Sequence, residues 1–150
     1  MITKFAVKNY RGFADRIEWD LSHPSSYSFN TFAIKDGIVK NGIIYGPNGS
    51  GKSNLALAVF DIILHLTQKA KNPRQFEAII NALHHNDFVS FEYTFRFGTN
   101  IVDYYYSKSI YGIESEKVVL DGNVVFALDN NNLTIESLEF PMRSEERRLG

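Results

Sequence analysis

Cysteine, long apolar runs and a strong net charge are all missing from this sequence. The absence of cysteine excludes a disulfide scaffold and a thiolate metal site. Because there is no apolar run of eighteen residues and no secretory leader, the default expectation is a cytoplasmic protein. The formal net charge of -1 gives no overall electrostatic footprint for DNA or for an anionic membrane, although a local basic patch is still compatible with it.

The sequence does contain enough apolar material for one ordinary domain. Of its 150 residues, 44% are hydrophobic and 14% are aromatic, which is ample for a core. No internal repeat or low-complexity segment divides the chain. The sequence therefore predicts a single globular domain.

The stretch that organises the chain is a complete phosphate-binding motif, G-x-x-x-x-G-K-[ST]. Its residues are Gly46, Pro47, Asn48, Gly49, Ser50, Gly51, Lys52 and Ser53. The preceding run 42–45 is β-branched and aromatic, as is typical of a buried strand, and the segment 53–71 has apolar residues at helical spacing. A strand before the loop and a helix after it favour phosphate binding over the alternative, a glycine-rich turn that only caps a helix.

Each part of this motif has a role in binding ATP and Mg²⁺. The glycines allow backbone angles that are closed to other residues, so that successive N–H groups can face the phosphates. Lys52 is the candidate catalytic residue, because its charge is expected to reach the β- and γ-phosphates. Ser53 is the candidate metal ligand through its hydroxyl, and the dipole of the following helix adds positive potential.

The pattern upstream of the motif predicts strands. Residues 2–10 and 17–21 predict a first hairpin, with a turn at 11–13. Residues 32–39 predict a short strand pair around the tight turn Asp36-Gly37.

The pattern downstream of the first helix predicts a second helix and then a meander. The second helix is predicted over residues 74–84, with a packing role. Strict alternation from Val89 to Phe97 is the clearest strand signal in the chain. Further hairpins and last strand segments at 133–135 and 138–140 complete a predicted antiparallel meander, and residues 144–148 predict the start of a helix.

Two features resemble functional sites, a metal site and a base-stacking platform, but ordinary structural roles explain both of them better. His84 and His85 are adjacent, so on a helix their side chains point about 100° apart and do not easily chelate one ion. Tyr104, Tyr105 and Tyr106 could form a stacking platform for bases, but aromatic residues are favoured in strands generally.

Two stretches together resemble the opening of an ABC-type ATPase head. They are Asn9-Tyr10-Arg11-Gly12-Phe13 and the residues from Tyr45 to Leu55, and the asparagines at 48 and 54 are similar to the RecF, SMC and OLD-like branch. That branch includes bacterial AAA-type ATP-binding proteins often linked to phage defence. The resemblance implies an α/β P-loop NTPase fold of ABC-ATPase-head type, in which a mixed sheet, a long post-loop helix and an antiparallel β-subdomain are combined. Residues 1–150 would be its N-terminal lobe, with a nucleotide-binding core over about 1–86 and the β-subdomain over 87–140.

The resemblance also implies roles for residues near the motif. Asn54 joins the nucleotide-binding set, and Arg11 approaches the phosphates or the base of the nucleotide. The alternative for Arg11 is a solvent-exposed turn residue. The run ending at Asp129 imitates a Walker B strand, but Asn130 stands where the family has a glutamate and no leucine-serine-glycine signature precedes it, which favours a polar turn.

The hydrolytic half of such an ATPase is not recognisable in the sequence. We therefore expect ATP binding with little turnover from this chain, and a C-terminal lobe beyond residue 150 that supplies the missing motifs. In the intact protein, the resemblance implies ATP hydrolysis and a homodimer of heads joined through nucleotide. The alternatives are a non-hydrolysing, nucleotide-dependent interaction module that controls a nuclease or toxin partner and, less favoured, a P-loop kinase acting on a small molecule.

Overall fold

The computed structural model describes residues 1–26, 28–67 and 73–136. Their strands are β1 Ile2–Lys8, β2 Ile17–Asp20, β3 Ile34–Lys35, β4 Ile38–Val39, β5 Val89–Phe97, β6 Asn100–Ser109, β7 Gly112–Leu120, β8 Asn123–Asp129 and β9 Asn132–Ile135. The α-helices in these ranges are α1 Lys52–Leu66 and α2 Pro73–Ile79, and short 3₁₀ turns lie at Thr31–Ala33 and Ala82–His84. No helix among the described residues has the length and apolar character needed to cross a membrane.

Seven of these strands form one antiparallel sheet in the order β2-β1-β5-β6-β7-β8-β9. Strand β1 lies between β2 and β5, so that Phe5 is opposite Trp19 on one side and opposite Tyr93 on the other. From β5 onward, each strand pairs with the next one in the sequence. Strands β3 and β4 form a separate pair around Asp36 and Gly37, whose φ angles are 53° and 74°.

The core lies between α1 and one face of this sheet. Alternation in β5 puts Val89, Phe91 and Tyr93 on that face, where each is at most 1% exposed. Ala58 of α1 is fully buried in the same cluster. The Tyr93 hydroxyl donates a hydrogen bond to the Ala58 carbonyl at 3.0 Å, which fastens the helix to the sheet.

The predicted fold class, an α/β P-loop NTPase fold with a mixed sheet and a long post-loop helix, is wrong. The seven-stranded sheet is antiparallel throughout, and the run 42–45 before the motif is paired with no strand in the described part of the chain. Ile43 and Tyr45 are 90% and 91% exposed. The run has the composition of a buried strand, but a strand also needs neighbours for its backbone hydrogen bonds, and here β1 is flanked by β2 and β5 instead. Helix α1 ends at Leu66, and residues 68–71 of the predicted helix lie outside the described residues.

The local predictions for hairpins are confirmed. Strands β1 and β2, β3 and β4, and β5 to β9 lie where the alternation and turn residues predicted them. Helix α2 ends at Ile79, before the predicted residue 84, because Ile80 forms a bridge with Tyr10. The predicted segment 133–135 is β9, whereas 138–140 and 144–148 lie outside the described residues.

The predicted boundary near residue 86 falls within a continuous sheet. Strand β1 precedes it and β5 follows it, and the two strands pair over most of their length. The first hairpin and the meander therefore share one set of backbone hydrogen bonds.

Candidate functional site

The loop from Gly46 to Gly51 follows a path that its glycines make possible. Gly49 and Gly51 have φ angles of 80° and 93°, in the left-handed region that favours glycine. The Ser50 N–H donates to the Pro47 carbonyl at 3.3 Å, which closes a turn within the loop. A Cβ added at Gly46 would lie 3.0 Å from Ser50 Oγ, so this position is also tight. Residues 46–50, including Asn48, are exposed.

Lys52 lies across the first two residues of the loop. Its Nζ donates hydrogen bonds to the carbonyls of Gly46 at 2.6 Å and Pro47 at 2.7 Å. An ammonium group has three N–H donors, so these two bonds use two of them. The charge of Lys52 is therefore held at the mouth of the loop, next to the start of α1.

The N-terminus of α1 has no side-chain cap. Gly51 is the N-cap residue and has no side chain to accept a hydrogen bond, and no acidic residue lies in the first turn. The first N–H groups of a helix have no intrahelical acceptors, and the helix dipole concentrates positive potential there. Ser53 is exposed and Asn54 is half-buried in this first turn. The loop, the ammonium of Lys52 and the helix terminus together form a region suited to a multiply charged anion.

The turn of the first hairpin contacts the end of this loop. A Cβ added at Gly51 would lie 2.9 Å from Cε1 and Cζ of Phe13, so the phenyl ring covers that side of the glycine. A Cβ added at Gly12 would lie 3.5 Å from Nδ2 of Asn54. The structure thus brings the two stretches that carry the ABC-type resemblance into contact, although the contacting residues are about 40 positions apart in the sequence.

Arg11 belongs to this turn, but it lines a cavity beside the middle of α1. The cavity has a volume of about 180 Å³, and its lining includes Asp61 of α1, Phe76 of α2 and Lys108 of β6. Arg11 Cζ lies 5.6 Å from the centroid of the Tyr10 ring, and Arg11 Nε is buried without a hydrogen-bond partner among the described residues. A role for Arg11 at the phosphates or base of a nucleotide stays a prediction.

The sequence analysis missed a buried polar cluster between α1 and the sheet. Lys108 Nζ donates to Asp61 Oδ2 at 2.5 Å, and the Tyr106 hydroxyl donates to the same oxygen at 2.8 Å. The Lys108 and Asp61 side chains are only 2% and 6% exposed. Burial raises the pKa of the Tyr106 hydroxyl, so Tyr106 acts as a neutral donor to the carboxylate.

His65 extends this cluster along α1. Its ring stacks on that of Tyr106, with centroids 4.0 Å apart, and its Nε2 lies 3.4 Å from Glu116 Oε1. Burial first, and then the charge of Lys108, lower the pKa of His65. One part of this cluster could have been found in the sequence, because Ala58, Asp61 and His65 have the spacing of one helical face.

The features that imitated other sites have ordinary surroundings. Tyr104 and Tyr106 are in the core, whereas Tyr105 is on the other sheet face, where Lys117 Nζ lies 4.9 Å from its ring centroid.

His84 and His85 face different carboxylates, those of Asp87 at 3.8 Å and Glu77 at 3.6 Å. Among the described residues, no three His, Cys, Asp or Glu side chains are grouped so as to hold a metal ion.

Asp129 is the last residue of β8, at the turn into β9. Asn130 and Asn131 in that turn have φ angles of 45° and 68°, which asparagine tolerates better than most residues. The predicted polar turn is confirmed, and Asp129 is four strands from β1 in the sheet order.

No protein-family model matches the chain, and no curated protein matches it. The candidate site therefore stands on the motif and on its geometry.

Proposed function

We propose that this chain binds ATP together with Mg²⁺ at the loop from Gly46 to Ser53. The observation that carries the proposal is the position of Lys52, whose ammonium is held at the loop by two carbonyls beside an uncapped helix N-terminus. Positive charge, the uncapped N–H groups at the start of α1 and a helix dipole converge on one small region, and a chain of phosphates complements all three.

The residues of the loop fit a triphosphate and its metal. The backbone of residues 47–51 would surround the β-phosphate, since its two left-handed glycines keep this path free of side chains. Lys52 would give its remaining donor to a phosphate oxygen, or exchange one loop carbonyl for it, as a charge-assisted bond. Ser53 would supply one oxygen ligand to Mg²⁺, which commonly takes its other ligands from phosphates and water.

Hydrolysis belongs to the proposal only for a longer protein. The resemblance to RecF, SMC and OLD-like ATPases supports a second lobe that supplies the water-activating residues, and a homodimer of heads joined through nucleotide. In that arrangement, phosphoryl transfer would depend on Lys52 and Mg²⁺ for charge stabilisation. Phage defence or DNA maintenance is the setting that the same resemblance suggests.

A second candidate function is a non-hydrolysing module that recruits a nuclease or toxin partner when ATP is bound. The outward face of α1 favours an interaction role, because Leu57, Phe60 and Ile63 on it are 47%, 61% and 52% exposed. Their spacing of three residues places them side by side along the helix, and exposed apolar patches are typical of interaction sites. Phosphate release by the intact protein would favour the ATPase, and ATP-dependent capture of a partner without turnover would favour this second candidate.

The proposal is tested by calorimetric titration of the chain with ATP in the presence and absence of Mg²⁺. Loss of a charge-assisted bond costs about 1.5–3 kcal/mol, so Lys52→Ala is expected to raise Kd by about 10-fold to 150-fold. Lys35→Ala removes an exposed lysine from β3 and is the matched control, for which we expect no change. Ser53→Ala is expected to reduce the gain in affinity that Mg²⁺ gives. Equal affinities of the wild-type chain and Lys52→Ala, with both folded by circular dichroism, would reject this site.

A further inference from the structure

We propose that Phe13 is a positioning residue for the phosphate-binding loop, holding Gly51 and the N-terminus of α1 in the conformation that accepts phosphate. The inference rests on the proposed function for its ligand, but its structural part concerns the loop itself. Phe13 lies 38 positions before Gly51 and is outside the phosphate-binding motif.

The contact between Phe13 and Gly51 is closer than any side chain at position 51 would permit. An added Cβ would meet two ring carbons of Phe13 at 2.9 Å, a distance that real Cβ atoms essentially never show. Gly51 also has a φ of 93° and is the N-cap of α1. The ring therefore lies against the residue at which the loop becomes helix, and whose angle orients the N–H groups that follow.

The turn that carries Phe13 is held firmly in place. The Tyr10 N–H donates to the Phe13 carbonyl at 2.9 Å, and the Phe13 N–H donates to the Tyr10 carbonyl at 2.8 Å. The Arg11 N–H donates to the carbonyl of Ile79 at 2.8 Å, and the Asn81 side chain donates to the Arg11 carbonyl. Tyr10 itself is 2% exposed. The turn is thus tied to the core and to the end of α2, and it offers a fixed surface to the loop.

Apart from the two hydrogen bonds that Lys52 donates to the carbonyls of Gly46 and Pro47, few contacts among the described residues hold the loop. Residues 42–50 are exposed, and within the loop the backbone hydrogen bond from Ser50 to Pro47 is long, at 3.3 Å. The contact of Gly12 with Asn54 gives the turn a second point of contact, one residue beyond Ser53. A loop that is ordered before binding loses less entropy when the ligand arrives, so contacts of this kind raise affinity without touching the ligand.

The first measurement is amide hydrogen exchange of residues 49–54 in the nucleotide-free chain. Phe13→Ala removes the ring, and we expect exchange there to be about threefold to tenfold faster than in the wild-type chain, with the β5 and β6 amides unchanged. Phe32→Ala removes a phenylalanine that is 73% exposed and is the matched control. Unchanged exchange in residues 49–54 would overturn the positioning role whether or not the chain binds ATP.

The second measurement is a double-mutant cycle on the Kd for MgATP. Gly51→Ala adds a methyl group that meets the Phe13 ring, and we expect it to raise Kd about tenfold or more in the wild-type background. In the Phe13→Ala background the obstruction is gone, so the same substitution is expected to cost about threefold less, although the strain from the positive φ persists. Purely additive effects would contradict the inference, because a general loss of stability gives no coupling between these two positions.

The two proposals fail separately. A wild-type chain without ATP affinity, but with faster loop exchange in Phe13→Ala, would reject the nucleotide and retain the positioning role. ATP binding that Lys52→Ala weakens, but that Phe13→Ala leaves unchanged together with the exchange rates, would do the reverse.

Discussion

Replacement of Lys108 by methionine should destabilise the fold more than most single substitutions. The Lys108 side chain is 2% exposed, its ammonium contacts Asp61 at 2.5 Å, and its charge also lies 5.1 Å from the centroid of the Tyr106 ring. Methionine keeps much of the length and apolar character of lysine but removes the charge. Asp61 is then left in the interior without the ammonium, and it keeps the hydrogen bond from the Tyr106 hydroxyl at 2.8 Å.

The expected loss follows from the cost of an unpaired buried charge. Breaking a buried ion pair by removing one partner costs about 3–5 kcal/mol, whereas an exposed pair contributes about 0–1 kcal/mol. Single domains have free energies of unfolding of about 5–15 kcal/mol, so Lys108→Met is expected to remove a large part of this free energy. The double variant Asp61→Leu/Lys108→Met removes both charges and is expected to recover most of the loss.

The assay is urea unfolding followed by the fluorescence of Trp19, which is half-buried in β2. With a urea slope of about 1–3 kcal/mol per molar, the Lys108→Met midpoint should fall by about 1–5 M. Lys117→Met is a control, since Lys117 lies on the other sheet face and is exposed. A loss below about 1 kcal/mol for Lys108→Met would show that the pair is hydrated in solution and that the reasoning from burial is wrong.

Three further outcomes can be checked with the same unfolding assay. Ala58→Leu should cost about 1–3 kcal/mol, because Ala58 is fully buried between α1 and the sheet and a larger side chain overpacks that contact; stability equal to the wild type would mean that α1 can move away from the sheet. Because the pKa of His65 is lower in the folded chain, the unfolded chain takes up this proton first as the pH falls. The contribution of neutral His65 to stability is therefore complete above about pH 6.5, and below that pH it is lost by up to about 1.4 kcal/mol per pH unit. His65→Gln should make stability between pH 7.5 and 5.5 flatter than in the wild type, and an unchanged slope would assign the dependence to other groups. Gly122→Ala should cost about 1–2 kcal/mol, because Gly122 has a φ of 84° in the turn between β7 and β8, and a neutral result would mean that this turn adopts another conformation.

Local patterns in the sequence predicted local structure well. The alternation from Val89 to Phe97 became β5, and the turn Asp36-Gly37 became a two-residue hairpin with both φ angles positive. In each case the determining interactions lie within a few residues, so that propensity and turn chemistry suffice.

Pairings between distant residues could not be predicted in the same way. The pairing of β1 with β5 joins residues about 85 positions apart, and the hydrophobic pattern of a strand does not indicate which other strand will pair with it. The Asp61 and Lys108 pair is similar, because each residue alone looks like a polar interruption of an apolar pattern. Their partnership depends on the distance at which α1 crosses β6, which is a property of the packed core.

The run 42–45 and the loop after it show why the proposed binding site does not depend on the fold class that the sequence predicted incorrectly. The run needs a neighbouring strand to become a strand itself, and with Ile43 and Tyr45 about nine-tenths exposed it has none in the described part of the chain. The charge and the backbone path of the loop arise locally: the positive φ angles of Gly49 and Gly51, the helix that begins at Lys52 and the bonds from Lys52 to two loop carbonyls all lie within eight residues. In the proposed site the contact of Lys52 with phosphate depends on these local donors and charges, so the loss expected for Lys52→Ala does not depend on the strand order.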